Sequence, residues 1–207
     1  MQRLIRRGTT AALAAVVVTL LVVLDRGGLF GQAARPDMEV YHQQAFPVVR
    51  VVDGDTLDVA AADRVSGREN TRIRLWGVDT PETVKPDTPV QHYGPEATAF
   101  TKDRTLGATV TLQLTSAKTR DKYGRLLAYV LLADGTNLNE QIVLTGHGYA
   151  DPIGNHPHKG AFKKAQAEAM SGRRGLWAEA DDEDLPWYYR GKLKLPATRP
   201  AAARSSE

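Results

Sequence analysis

The segment Arg74-Leu75-Trp76-Gly77-Val78-Asp79-Thr80-Pro81-Glu82 sets a guanidinium, two carboxylates and a stiff Thr-Pro step at the end of an apolar run. Crowding carboxylates at the edge of an apolar region is costly unless something pairs with them. A cation and a phosphate together account for all of these groups. Asp53-Gly54-Asp55-Thr56 supplies further acid and reads two ways. As a hairpin turn, Asp-Gly gives a positive φ and Asp55 bonds a local amide. As a site, Asp55 is a hard oxygen ligand at a sheet rim, provided a second carboxylate meets it. Asp79 is the candidate second carboxylate. Pro81 fixes its own φ and holds Thr80 extended, so the strand is expected to run on through Thr80 and aim its backbone carbonyl at the same ion. Two carboxylates, a carbonyl and water suit calcium, with Ca–O distances of ~2.3–2.6 Å and loose geometry. Zinc is not indicated: the chain has no Cys, and His156-Pro157-His158 reads as a loop rather than a helical ligand pair.

Arg74 and Arg125 form the next pair. A guanidinium matches phosphate oxygens with a planar fork of N–H groups and stays charged at any working pH. Two of them on barrel strands can grip one phosphodiester and stabilise the extra charge of its transition state. Taken singly, each is better read as a surface ion pair worth ~0–1 kcal/mol. Glu82, three residues after Asp79, is placed to hold or deprotonate a water for in-line attack on phosphorus; alone, it is an ordinary solvated loop acid. The chemical interpretation of the set rests on the five residues converging.

The elements that must bring them together follow from periodicity. Strand patterns run over 46–53, 56–61, 71–78, 109–114 and 126–132, with Val110, Leu112 and Leu114 alternating to one side of the fourth. Three helices fit between and after them. One starts at Gly94-Pro95-Glu96, with Ala97 and Phe100 inward. One is capped by Asn137 or Asn139 and ends at Gly146. The third covers 158–170, with Phe162, Ala165 and Ala169 on its apolar face. Five short strands with one helix between the third and fourth give a mainly β, α+β chain: a small closed barrel of the oligonucleotide/oligosaccharide-binding (OB-fold) type. Fold alone leaves function open.

The ends of the chain are different in kind. Arg3, Arg6 and Arg7 precede an uncharged stretch, residues 8–24, rich in Ala, Val and Leu. This is the layout of a signal peptide or a signal-anchor transmembrane segment over residues 1–30. As a helix it spans roughly 25 Å at ~1.5 Å per residue, a little short of the ~30 Å hydrocarbon core. Both outcomes send the rest of the chain out of the cytoplasm, secreted or membrane-anchored. The first 33 residues carry four arginines and one aspartate, the whole net charge of +3, so the remainder is formally neutral. The high pI is therefore no electrostatic footprint for nucleic acid. Residues 31–45 read as a polar linker. Residues 179–207 form a tail with an acidic cluster (Asp181, Asp182, Glu183, Asp184), an aromatic patch (Trp187, Tyr188, Tyr189) and a Pro/Ala/Arg-rich end. The tail is expected to be a solvated extension; the alternative is that it docks a partner or folds over the site.

Five blocks in register carry a resemblance. Asp53-Gly54-Asp55-Thr56, residues 74–83, Tyr93-Gly94-Pro95-Glu96-Ala97 with Phe100-Thr101-Lys102, Asp121-Lys122-Tyr123-Gly124-Arg125 with Leu127-Ala128-Tyr129, and Gly175-Leu176-Trp177 are similar to the staphylococcal nuclease (thermonuclease) family over about residues 46–178. The resemblance implies a five-stranded OB-fold barrel with three helices that hydrolyses phosphodiesters of DNA and RNA with calcium. It implies Ca2+ ligation by Asp55, Asp79 and the Thr80 carbonyl, phosphate contacts and transition-state stabilisation by Arg74 and Arg125, and activation or positioning of water by Glu82. Tyr123 would lie near the nucleotide and Lys122 near its phosphate, and 3′-phosphates would result. The chain departs from the family at Gly148-Tyr149-Ala150-Asp151-Pro152-Ile153-Gly154, where only Tyr149 is available to stack on a base, and in loop 84–92, where Lys85 is the cation. No obligate protein partner is indicated, and a monomer is expected. The alternative from another class is a non-catalytic barrel that binds nucleic acid or a protein; such domains typically lack some of these acids and arginines.

Overall fold

β1 (Gln44–Asp53) is long enough to serve two neighbours. Its first part pairs antiparallel with β5 (Thr109–Gln113), from Gln44↔Leu112 to Pro47↔Thr109; its second part pairs with β2 (Thr56–Val59), from Val48↔Val59 to Asp53↔Thr56. Register shifts between Val48 and Arg50 and between Val51 and Asp53 bend the strand from one partner to the other, as bulges do at barrel corners. β2 pairs with β3 (Thr71–Leu75), β3 runs parallel to β6 (Leu126–Leu131), and β6 returns antiparallel to β5. The barrel closes in the order β1-β2-β3-β6-β5. The structure, a computed structural model, describes residues 36–84, 89–115 and 118–195. The apolar segment 8–24 and Lys85 lie outside the described residues. Among those described, no helix is long and apolar enough to cross a membrane.

Leu57, Val59, Ile73, Leu75, Leu112 and Leu126 are fully buried and fill the barrel. Asp58 and Arg72, opposite each other on β2 and β3, form a bidentate pair at 2.8 and 2.9 Å. α1 (Asp37–Tyr41) precedes the barrel; α2 (Gly94–Thr105), α3 (Leu138–Leu144) and α4 (Lys159–Ser171) follow as expected. Asn137 is the cap of α3, accepting from the Glu140 amide at 3.3 Å. Asn139 is instead wholly buried. Its amide donates to the carbonyls of Trp76 and Ala128 and its oxygen accepts from Val130 N, which pins α3 to β6 and to the turn after β3.

The structure departs from expectation in three places. The third strand does not run through Thr80. It stops at Leu75, and Gly77, at φ 80, reverses the chain where a side chain would strike the buried ring of His156. Val78–Asp79 then forms a separate strand, β4, paired with β7 (Tyr149–Ala150) as Val78↔Ala150 and Asp79↔Tyr149. The supposed linker is folded from Asp37 onward. Tyr41 is buried with its hydroxyl 3.0 Å from Thr71 Oγ1, and Arg120 grips Asp37 at 2.8 and 2.9 Å. The tail is not a solvated extension over its described residues. Ala180 and Leu185 are buried with Tyr149, Leu176 and Trp177, and Tyr189, Leu193 and Leu195 pack on that cluster. Its acids are consumed locally: Asp181 accepts from the amides of Glu183 and Asp184, and Asp184 from that of Asp181.

Candidate active site

The Asp53–Asp55 turn, β3, β4 and the start of β6 meet at one rim of the barrel. Thr56 lies opposite Arg74 in the β2–β3 register, so Asp55 and Arg74 arrive side by side. The turn is held from outside by Thr101 on α2, whose hydroxyl donates to the Gly54 carbonyl at 2.6 Å. Gly54 does not have a positive φ; a Cβ there would stand 2.8 Å from Thr80 Oγ1, so glycine is needed for the close approach of Thr80. That contact brings Asp55 and Asp79 together. Thr80 donates to Asp55 Oδ2 from its amide at 2.9 Å and from its hydroxyl at 3.2 Å, and Thr56 Oγ1 donates to Asp55 Oδ1 at 2.9 Å.

Arg74 stands between the two acids, with Nη1 2.7 Å from Asp55 Oδ2 and Nη2 3.0 Å from Asp79 Oδ1. It also donates to the Val78 carbonyl at 2.7 Å. The guanidinium thus bridges the acids here, in the ion-pair role that the sequence leaves open for it beside phosphate binding. Burial works against its charge, but Asp55 and Asp79 more than offset this and raise its pKa. Arg125 comes from just before β6 and is tied through Nε to Asp121 Oδ2 at 2.7 Å, leaving its Nη fork for another acceptor. Glu82 sits at the lip, its Oε1 accepting from the amides of Thr83 and Val84 at 3.0 Å each, while its own amide donates to Gln91.

Asp55, Arg74, Asp79, Thr80, Glu82 and Arg125 line a single cleft of about 170 Å³. Asp53 lines it too, a residue that sequence reasoning left in the turn. A larger cleft of about 340 Å³ shares Arg74 and Arg125 and is walled by Lys118, Lys122, Tyr123, Asp151 and Ile153. Tyr123 is 70% exposed, with Lys122 Nζ 5.0 Å from its ring centre. Tyr149 is elsewhere. Its β7 position turns the ring inward, 3% exposed and edge-on to Trp177 at 5.5 Å, so it is not available to stack on a nucleotide. His156 is buried against Tyr129, with Nδ1 2.9 Å from the Tyr129 hydroxyl, and is no ligand of this cleft.

The donor set fits a hard divalent cation. The residues lining the cleft bring four carboxylates and a threonine, and no sulfur or imidazole. It is also short of positive charge. Asp53 is raised to about 7, by burial first and by the neighbouring Asp55 second; Asp79 is raised as well, by burial, despite Arg74. Among the described residues no three His, Asp or Glu side chains form a ready-made cage. An ion here would take two carboxylates and complete its shell with a carbonyl and water.

Sequence reasoning also missed Tyr188. Its hydroxyl donates to Asp79 Oδ2 at 2.5 Å from 109 residues away. The aromatic patch 187–189 was the signal, but nothing local said which side chain it would meet.

Similarity to known proteins agrees with this geometry. The family model described as staphylococcal nuclease homologue matches residues 72–179. A thermonuclease of Staphylococcus hyicus is 35% identical over 175 residues, covering 84% of this chain and 98% of that protein. A thermonuclease of Staphylococcus intermedius is 35% identical over 79% of this chain and 91% of its own length. An uncharacterized endonuclease of Escherichia coli O157:H7 is 36% identical over 69% of this chain and 82% of its own length. The family model and these relatives show that the chain belongs to the staphylococcal nuclease family.

Proposed function

We propose that this nuclease is an exported, calcium-dependent endonuclease that hydrolyses phosphodiester bonds of DNA and RNA as a monomer. The observation that carries the proposal is the convergence of Asp55, Arg74, Asp79, Glu82 and Arg125 on one open cleft beside an exposed tyrosine. Asp55 and Asp79, with the Thr80 carbonyl, would hold the ion. When bound, it neutralises the acids and draws charge from the scissile phosphate. Arg125, with its Nη fork available, binds a non-bridging phosphate oxygen, and Arg74 adds a second guanidinium to the charge of the transition state. Glu82, fixed at the lip by two amides, orients a water and accepts its proton as the water oxygen bonds to phosphorus in line. The bond from phosphorus to the 5′ oxygen breaks, that oxygen takes a proton from solvent, and a 3′-phosphate and a 5′-hydroxyl result. Lys122 and Tyr123 receive the adjoining nucleotide, the lysine at its phosphate and the ring beneath its base.

Purified protein is expected to degrade DNA and RNA with calcium and to stop when the ion is chelated. Glu82→Gln cutting at the wild-type rate would overturn the mechanism. Export rests on residues 1–30, which act as a signal peptide or an anchor; the intact mass of the mature protein distinguishes the two.

A further inference from the structure

Asp79 is awkwardly placed for a ligand that must hold still. It ends a strand of two residues, and 35% of its side chain remains exposed. The barrel supplies one donor to it, Arg74, at Oδ1. The other oxygen is met from the far end of the chain. After the 3-10 turn Gly175–Ala178, the segment 180–195 buries Leu185 and lies along β7. Tyr189 donates to the Ala150 carbonyl at 2.6 Å, and Ala150 is the ladder partner of Val78. The next ring, Tyr188, puts its hydroxyl on Asp79 Oδ2. One tyrosine thus fastens the partner strand while its neighbour fastens the ligand.

We infer that Tyr188 is a positioning residue for the cation site, and that segment 180–195 is a working part of the active site. This inference rests on the metal assignment proposed above. A hydroxyl and a guanidinium, one on each oxygen, fix the Asp79 side-chain torsion, while each oxygen keeps a lone pair for an ion. Partners of this kind, which touch a ligand rather than the metal, commonly change metal affinity by about 10–100-fold when removed.

The test is calorimetric titration of the full-length protein with calcium chloride alone, without substrate. Tyr188→Phe removes only the hydroxyl and is expected to weaken calcium binding about tenfold, with the metal-free melting temperature within a few degrees of wild type. Tyr189→Phe removes the bond to Ala150 and is expected to lower the melting temperature while leaving calcium affinity unchanged, which separates positioning from mere docking of the segment. Leu185→Ala unseats the segment from a distance and should weaken calcium binding as Tyr188→Phe does. Equal or tighter calcium binding in Tyr188→Phe would overturn the inference; if that variant does not fold, unchanged binding in Leu185→Ala does so. A wild-type protein that takes up no calcium would overturn the metal assignment instead.

Discussion

Arg120 and Arg74 each stand between two aspartates, Asp37 and Asp63 for the first, Asp55 and Asp79 for the second. The two clusters nonetheless differ in kind. Around Arg120 every acceptor is matched. The guanidinium meets Asp37 twice, Asp63 once and the Gly124 carbonyl, and Asp63 also accepts from Ser66 Oγ and from the amides of Val65 and Ser66. Burial pushes the Asp63 carboxyl up, but the bonds from Arg120 and Ser66 win and hold it below its ordinary range. Around Arg74 there is more acid and fewer donors for each acid: Asp53 joins Asp55 and Asp79, and Asp53 and Asp79 are raised. A buried ion pair supplied with enough donors is a staple; one left with surplus acid is a place for a cation.

The comparison can be broken in several ways. The largest effect is expected from Arg120→Ala, which leaves Asp37 and Asp63 without their charge partner and should cost about 3–5 kcal/mol of stability; chemical denaturation measures it, and the cleavage rate per folded molecule should hold. Arg74→Ala should do the opposite. The rate is expected to fall about 10²–10³-fold, measured as kcat/KM on single-stranded DNA, and added calcium should restore much of the stability lost by freeing two acids. Arg74→Ala cutting normally while Arg120→Ala cuts slowly would reverse the assignment of the two clusters. A smaller effect is expected at the substrate wall, where Tyr123→Ala should raise KM by the equivalent of about 1–3 kcal/mol. Tyr149→Phe, buried behind β4, should leave KM unmoved.

The smallest effect tests burial without surplus acid. His147 is stacked on Phe100 at 4.0 Å, and burial, aided by Arg104 and opposed by Glu96, lowers its pKa to about 4. Between the ordinary histidine pKa of about 6.5 and that value the unfolded chain binds a proton that the folded one refuses. Its contribution is therefore complete above pH 6.5 and lost as pH falls toward 4, on the order of 1 kcal/mol after solvent screening. His147→Gln should flatten that part of the stability–pH curve.

The parts legible in sequence were those encoded by neighbours. Alternation gave the barrel strands, Gly94-Pro95 and Gly146 bounded helices, and the spacing of Asp55, Arg74, Asp79, Glu82 and Arg125 marked residues that do converge. What failed depended on partners distant in the chain. The stiff Thr-Pro step predicts a third strand running through Thr80, but Gly77 beneath His156 breaks it. Tyr149 is the aromatic residue that local sequence offers to a base, but its place on β7 opposite Asp79 goes with a buried ring. Asp181–Asp184 looked like a solvated charge run, yet these acids cap their own turn and let Leu185 go under. Periodicity carries no information about which loop a hydroxyl 109 residues away will meet.

The short β4–β7 ladder sets an order of events during synthesis. Asp79 leaves the ribosome early, but its strand partner Tyr149 comes 70 residues later and Tyr188 later still. Domains acquire structure as the chain emerges, so a growing chain can display every acid and arginine of the cleft and still lack the scaffold that aligns them. The alignment of the cleft is completed only when residues 149 and 188 have emerged, long after Asp55, Arg74 and Asp79.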